Sequence, residues 1–312
     1  MMKIIDAHHH IWRRKDLPWL MGAMQPRIFG PYESIRRDYP IEEYLEDIPG
    51  RNIVKSVYVQ ANWAKERFED EVAWVQGEAD RSGWPHGIVG YCDMTVENAR
   101  PALDRLKKYP LMRGIRQQLH WHENPLYRFA ADPNLARDPN VMRNVAALAD
   151  YGWSFDLQVF ASQMRGAAEL AAACPKVTFI LQHAGMPEDL SPAGYDYWRQ
   201  ELKHLAGQPN VVTKLSAFGT FIHKNETGHI SRILHEALEI FGPDRCLFGS
   251  NFPIEKIWTD YGPLVDSFLI AASDLDEAVR TAIFHDTAMK VYQLDRTGSV
   301  AGRPKFGKKT GA

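Results

Sequence analysis

The sequence predicts an α/β fold, specifically a single (β/α)8 TIM barrel with insertions after strands 1 and 4. Eight short runs rich in β-branched and aromatic residues alternate along the chain with longer stretches whose apolar residues recur at helical spacing. No segment rich in Pro, Gly and Ser divides the 312 residues, and one barrel commonly reaches that length. An open, doubly wound sheet is the alternative, but no glycine-rich phosphate-binding turn follows the first run.

The predicted elements follow one another in a regular order. The strand candidates, which are short apolar runs as expected for strands buried on both faces, cover residues 3–10, 56–61, 87–92, 112–117, 154–159, 178–183, 211–216 and 245–250. The helix candidates cover residues 41–48, 69–81, 96–108, 141–151, 164–174, 195–206, 230–241, 262–272 and 276–286.

Two longer segments, residues 11–40 and 120–138, leave from the carboxyl ends of strands 1 and 4. Active sites of barrels are built at that end, so both insertions are expected to wall or cover a pocket. We expect the barrel to span residues 1–294 and the Gly- and Lys-rich tail, residues 295–312, to be disordered.

The composition excludes several classes of partner. With 37 Lys and Arg against 39 Asp and Glu, the formal net charge is −2, so binding to nucleic acid or to an anionic membrane surface is not expected. No apolar stretch reaches the length of about 18 residues that a membrane span needs. The three cysteines are widely spaced in apolar surroundings, as is typical of reduced thiols. We therefore expect a cytoplasmic protein that acts on a small-molecule substrate, with assembly into a homo-oligomer left open.

Histidines at the ends of strands are the most informative feature. Side chains alternate along a strand, so in the triplet that ends the first strand His8 and His10 share one face while His9 takes the other. His183 ends the sixth strand and Asn251 follows the eighth, and all strands of a barrel end at one mouth. Imidazole is a frequent metal ligand, so His8, His10 and His183 are candidate ligands of one divalent ion. Hydrogen-bonded core histidines are the alternative.

The chain resembles the amidohydrolase superfamily, and within it the lactonase-like branch of sugar lactonases, sulfomuconolactone hydrolase and pyrone-dicarboxylate lactonase. The resemblance covers about residues 3–294 and rests on the HxH of His8 and His10, on His183-Ala184-Gly185 and on Gly249-Ser250-Asn251-Phe252-Pro253, with Arg113-Gly114-Ile115-Arg116 and Lys214-Leu215-Ser216 as further similarities. It implies a TIM-barrel hydrolase that opens a small lactone. It also implies one metal ion, Zn²⁺ above all, at His8, His10 and His183, although some members of the branch work without metal.

The sequence departs from the family on strand 8, where the family has an Asp that binds metal and activates water. Asn251 stands there, and a neutral amide cannot accept a proton as a carboxylate with a pKa near ~3.9 does. The base is therefore unassigned, with Asp156, Asp93 and Glu255 as alternative carboxylates. Strands 4 and 5 also lack the Lys or Glu and the His of the binuclear members, so one ion or none is expected.

The remaining site residues are predicted from their chemistry and position. Arg116, near the end of strand 4, is expected to hold a substrate carboxylate, because a guanidinium binds carboxylates through two parallel hydrogen bonds. A structural salt bridge is the alternative for this residue. It forms the predicted catalytic set with His183 and Asn251, and the predicted substrate-binding residues are Gln60, Trp63, His120, Asp156 and Lys214. For Lys214, an ion pair with Asp156 is the alternative.

The function expected from these observations is hydrolysis of a small lactone, bearing sugar hydroxyls or a carboxylate, by attack of water on the ring carbonyl. One alternative is a metal-dependent non-oxidative decarboxylase or hydratase of the same superfamily. The other is a barrel with impaired catalysis, because Asn251 replaces the Asp of strand 8.

Overall fold

Eight parallel strands form a nearly closed ring in the computed structural model, which describes residues 2–295. The strands are β1 (Ile4–His9), β2 (Ile53–Val59), β3 (Gly87–Gly90), β4 (Met112–Gln118), β5 (Ser154–Gln158), β6 (Phe179–Leu181), β7 (Val211–Leu215) and β8 (Cys246–Phe248). Each strand pairs in parallel with the next one along the chain. The residues after β8 complete the ring, since the Asn251 amide donates to the His8 carbonyl and the His10 amide to the Phe252 carbonyl, both at 2.7 Å. The predicted barrel is confirmed.

Helices cover the outside of the strands. They are α1 (Pro18–Met21), α2 (Ile41–Asp47), α3 (Phe68–Ser82), α4 (Arg100–Leu106), α5 (Pro139–Ala146), α6 (Met164–Ala173), α7 (Pro192–Ala206), α8 (Thr227–Phe241), α9 (Tyr261–Ala271), α10 (Glu277–Thr281) and α11 (Thr287–Val291). Their ends follow local sequence signals: the Asp138 carboxylate accepts from the first amides of α5, and Gly83 ends α3 at φ +83°.

The described part of the chain contains no helix long and apolar enough to cross a membrane. Residues 296–312, nearly all of the tail for which disorder is predicted, lie outside the described residues.

The apolar core has two parts, one between strands and helices and one inside the barrel. The inner part includes Ile5, Ala7, Val212 and Leu247, and Tyr292 packs against it from just beyond α11. Above this layer the interior becomes polar, because β1 changes register with β2 between Asp6 and His9. This β-bulge changes which histidines face the barrel interior. Strict alternation from Ile5 and Ala7 would place His9 inside, whereas the His9 ring packs outward and stacks 4.0 Å from the ring of Tyr44.

Six of the eight strands are shorter than the sequence suggests, and β6 and β8 differ most, with three residues in place of six. β6 stops at Leu181, and His183 and Ala184 adopt left-handed backbone angles, with φ at 58° and 50°. β8 stops at Phe248, and Asn251 also has a φ of 58°. Neither His183 nor Asn251 therefore continues the side-chain alternation of the strand before it, because a left-handed turn, and no longer the pleat, sets the direction of each side chain.

Candidate active site

A cavity of about 410 Å³ opens at the carboxyl ends of the strands. The two insertions supply its walls, as expected, with Trp12, Trp19 and Phe29 from the first and Tyr127 and Phe129 from the second. Seven of the predicted site residues line it, namely His10, Gln60, Trp63, Arg116, His120, His183 and Asn251. Three others, His8, Asp156 and Lys214, are fully buried and are not among the lining residues.

The charge around the cavity has one sign. Arg27, Lys65, Arg116 and Arg128 line it, and no Asp or Glu of the described residues does so. Three of these cations, those other than Arg116, were not identified from the sequence. The signal available for Arg27 was the Arg-rich composition of the first insertion, and for Lys65 its position two residues after Trp63.

The histidine rings form a cluster at the floor of the cavity. The ring centroid of His8 lies 5.0 Å from that of His10 and 4.9 Å from that of His183. Burial lowers the pKa of all three well below the ordinary value, so the imidazoles are neutral near pH 7. His10 Nδ1 lies 2.7 Å from the Val59 carbonyl oxygen, which can only accept. His10 therefore carries its proton on Nδ1 and keeps a lone pair on Nε2.

His183 is held in a similar way by a residue that sequence reasoning left without a role. Its Nδ1 lies 2.8 Å from the hydroxyl of Ser216, which follows β7. The ring is thereby fixed in a position that lines the cavity, and its second nitrogen has no hydrogen-bond partner within the described part of the chain. The only sequence signal for Ser216 was its place in the Lys214-Leu215-Ser216 motif.

Lys214 lies beneath the histidines and is completely buried. Its ammonium forms an ion pair with Asp156 at 2.9 Å, and the same carboxylate accepts hydrogen bonds from Tyr292 and Gln182. The ammonium also lies 3.4 Å from His8 Nδ1. Because an ammonium only donates, His8 Nδ1 accepts and the ring proton lies on Nε2, a buried atom without a hydrogen-bond partner among the described residues. Of the two alternatives for Lys214, the structure shows the ion pair with Asp156.

These contacts do not fit the predicted metal centre. Among residues 2–295, no three His, Cys, Asp or Glu side chains are arranged to hold one metal ion. The Nε2 of His8 carries a proton in the arrangement described above, and a ligating nitrogen needs a free lone pair. The ammonium of Lys214 next to the same ring adds charge repulsion against a cation. As placed, the side chains of His8, His10 and His183 therefore do not fit a metal ion, and we derive no chemical step through one.

Arg116 is the buried cation of the cavity. It donates to the Gln60 carbonyl oxygen at 2.5 Å, whereas its Nε has no partner among the described residues. Burial lowers the pKa of Arg116 to about 10, an effect that the charge of Asp156 opposes. A guanidinium that is buried with so few partners is a ready binding point for an anion or a polarised carbonyl oxygen.

Asn251 completes the floor. Its side-chain Nδ2 lies 3.4 Å from Glu255 Oε1, and the other oxygen of Glu255 accepts from the Trp258 indole at 2.8 Å. Close approach of β8 to β1 depends on a glycine nearby, since a Cβ at Gly249 would lie 2.6 Å from that of His8. Of the three alternative carboxylates, Glu255 alone contacts Asn251.

Comparison with known proteins identifies the family of the chain. Residues 5–294 match the family model described as Amidohydrolase, and the chain belongs to the amidohydrolase family. A protein of Sinorhizobium fredii known as y4mH is 36% identical over 293 residues, which cover 93% of this chain and 98% of that protein.

Two further relatives come from Burkholderia multivorans. An L-fucono-1,5-lactonase is 29% identical, with 93% of this chain and 96% of the lactonase covered. A crystal structure of an amidohydrolase with bound zinc has a TM-score of 0.78 and 27% identity, covering 93% of this chain and 99% of that one. The resemblance to the lactonase-like branch is thus confirmed, and the protein is an amidohydrolase-like enzyme.

Proposed function

We propose that the enzyme hydrolyses a small lactone in this cavity. Water adds to the ring carbonyl, the bond between the carbonyl carbon and the ring oxygen breaks, and a hydroxy acid is released. The observation that carries the proposal is the cavity floor, which combines imidazoles able to accept a proton with a buried, partly unpartnered guanidinium. The similarity to an L-fucono-1,5-lactonase supports the same reaction class.

Each residue of the floor has a role in this proposal. His10 takes the proton of the attacking water, since its Nδ1 donates to the Val59 carbonyl and its Nε2 keeps a lone pair, and His183 can do so in the tautomer whose Nδ1 donates to Ser216. Arg116 binds a substrate carboxylate or the carbonyl oxygen, on which negative charge develops during attack. Asn251 orients the water or a ring substituent through its amide.

The other predicted residues act around this centre. Gln60, His120 and Trp63 line the cavity and bind the substrate ring. Asp156 and Lys214 are proposed to support the substrate site from below, through the position of His8, since neither lines the cavity. A zinc ion at the three histidines is the alternative proposal for the cofactor, and the metal content of purified protein decides it. We further propose a cytoplasmic enzyme with no nucleic-acid or membrane partner, and assembly into homo-oligomers stays a prediction.

A lactone panel tests the proposal. Neutral sugar lactones and carboxylated lactones are incubated with the purified protein, and acid release is followed in weakly buffered solution. Arg116→Met is the informative variant, and Glu201→Gln is the control, because Glu201 lies on α7 and is ion-paired with Arg165. Ring opening that Arg116→Met reduces and Glu201→Gln leaves unchanged is the expected result. No ring opening with any lactone would refute the proposal.

A decarboxylase is the second candidate. The cavity is lined by cations and by no acid of residues 2–295, so it would also bind an aromatic carboxylic acid, and this observation keeps the reaction in consideration. Release of carbon dioxide from aromatic acids, without ring opening of lactones, would assign the enzyme to that class. Absence of both activities would favour impaired catalysis.

A further inference from the structure

Glu255 is a buried carboxyl group that the proposed reaction does not yet use. It is 1% exposed, and its hydrogen bonds in the described structure come from the Trp258 indole and the Asn251 amide. It forms no ion pair with any described Lys, Arg or His, and the neighbouring Lys256 is paired instead with Glu43 and Asp47. A buried acid without a counter-charge is costly to keep, so its position next to a cavity residue needs an explanation.

The surroundings of Glu255 are built to hold it in one place. A Cβ at Gly219 would lie 2.8 Å from Glu255 Oε2 and 2.5 Å from Trp258 Nε1, so only glycine permits this packing. The indole donates to Oε2 at 2.8 Å, which leaves Oε1 directed at Asn251. The backbone of Asn251 is also fixed, because its amide donates to the His8 carbonyl and its own carbonyl accepts from the amide of Ile254.

We propose that Glu255 is a positioning residue that turns the Asn251 side chain so that its carbonyl oxygen faces the cavity. Above its pKa the Glu255 carboxylate only accepts hydrogen bonds, so in that form it selects the donor end, Nδ2, of the amide. The opposite end, Oδ1, receives no hydrogen bond from the described residues and is left for the water or substrate in the cavity that Asn251 lines. Position 251 therefore offers a fixed acceptor without carrying a charge.

The same pairing explains why Asn stands where the family has an Asp. An Asp at 251 would place a second carboxylate next to the buried Glu255, and two adjacent buried acids cannot both ionise without a large penalty. Burial already raises the pKa of Glu255 to about 7. The two positions are thus expected to be coupled: Asn with Glu is compatible, Asp with Glu is not, and Asp with Gln is compatible again.

A double-mutant cycle tests the inference with Asn251→Asp, Glu255→Gln and the two changes combined. The melting temperature of each protein is measured, with Glu201→Gln as a matched control, since Glu201 is also buried but lies on the outer helix α7. We expect Asn251→Asp to lower the melting temperature by at least about 3 °C and the double variant to recover at least about half of that loss. Additive shifts would overturn the inference.

Kinetics give the second readout, and this part rests on the proposed lactone hydrolysis. In Glu255→Gln, the carbonyl oxygen of the new side chain accepts the hydrogen bond from the Trp258 indole, so the NH2 group of the glutamine faces Asn251. That donor favours the opposite orientation of the Asn251 amide, with Oδ1 towards position 255 and Nδ2 towards the cavity. We expect kcat to fall about tenfold or more with a smaller change in KM, because only the orientation of an acceptor changes. Glu201→Gln should stay within about twofold of the parent enzyme.

The two readouts separate the possible failures. If the parent enzyme opens no lactone, the proposed function fails, while the melting temperatures still decide whether positions 251 and 255 are coupled. If the parent enzyme is active and Glu255→Gln keeps its full kcat, the positioning role is refuted. A Glu255→Asp variant, which keeps the charge but shortens the reach to Asn251, is expected to retain the fold and to lose kcat in the same direction.

Discussion

Replacement of Arg116 by methionine is expected to raise stability and to lower activity. Arg116 is 4% exposed, and among the described residues its guanidinium forms a single hydrogen bond, to the Gln60 carbonyl. Burial lowers the pKa of Arg116 from 12.5 to about 10, and at roughly 1.36 kcal/mol per unit the charged form costs about 3 kcal/mol in the folded state. Losing the hydrogen bond to Gln60 costs the variant about 1 kcal/mol, which offsets part of the stability gained by removing the buried charge. Methionine fills much of the same volume without a charge, so a net gain of about 1 to 2 kcal/mol is expected.

The gain corresponds to a rise of roughly 2–6 °C in melting temperature for a protein of this size. Activity should change in the opposite direction. A hydrogen bond to a charged group contributes about 1.5–3 kcal/mol, so kcat/KM for a carboxylated lactone should fall roughly 10- to 150-fold. Thermal unfolding and initial rates are measured on the same preparations. Arg137→Met is the control, because Arg137 is surface-exposed and paired with Glu169.

The reasoning is refuted if Arg116→Met melts well below the parent protein, since Arg116 would then have a stabilising partner. It is refuted as well if the variant hydrolyses every active lactone at the parental rate, because the guanidinium would then contact neither the carbonyl nor a carboxylate. A loss confined to carboxylated lactones would assign Arg116 to substrate binding, and an equal loss for neutral lactones would assign it to the carbonyl oxygen.

Three further predictions concern buried charges and metal. Lys214→Met should lower stability by roughly 3–5 kcal/mol in urea unfolding, because Asp156 loses its ion pair, and adding Asp156→Leu should recover much of the loss. Burial raises the pKa of Glu71 to about 7 in the folded state, so the free energy of unfolding should fall as pH rises from about 4.5 through 7. Glu71→Gln should remove up to about 3 kcal/mol of that fall. An unchanged pH dependence of the free energy of unfolding in this variant would contradict the prediction. Chelation should leave hydrolysis within about twofold, since the Lys214 ammonium lies 3.4 Å from His8, and a loss of activity that zinc restores would show the opposite.

The architecture followed from the sequence because it depends on patterns that repeat. Eight apolar runs separated by amphipathic stretches leave few arrangements other than a barrel, and the observed strands overlap all eight predicted ones. The separation of His9 from His8 and His10 also followed, since adjacent side chains lie on opposite faces of a strand. Strand periodicity does not, however, state which face points inward.

The fine geometry of the site could not be obtained in this way. The change of register in β1 and the left-handed residues His183 and Asn251 are single-residue departures from regular structure, and no periodic signal marks them. The ion pair of Lys214 with Asp156 joins residues that are 58 positions apart. Whether Lys214 pairs with Asp156 or binds substrate therefore depends on how their two strands pack, which the sequence does not state. The misfit of the predicted metal site has the same origin, because residue types suggested ligands whereas a neighbouring ammonium decides the protonation of His8.

Charge is distributed unevenly in and around the cavity. The cavity is lined by cations and by no acid of the described residues, while two buried acids, Asp156 and Glu255, lie behind Lys214 and Asn251. An Asp at position 251 would add a negative charge inside the cavity and weaken its attraction for a carboxylated substrate. Asn keeps an oxygen acceptor at that point and leaves the field of Arg116 undiminished. On this argument the amide suits an anionic substrate, and Asn251→Asp should reduce the preference for carboxylated over neutral lactones even where the total rate survives.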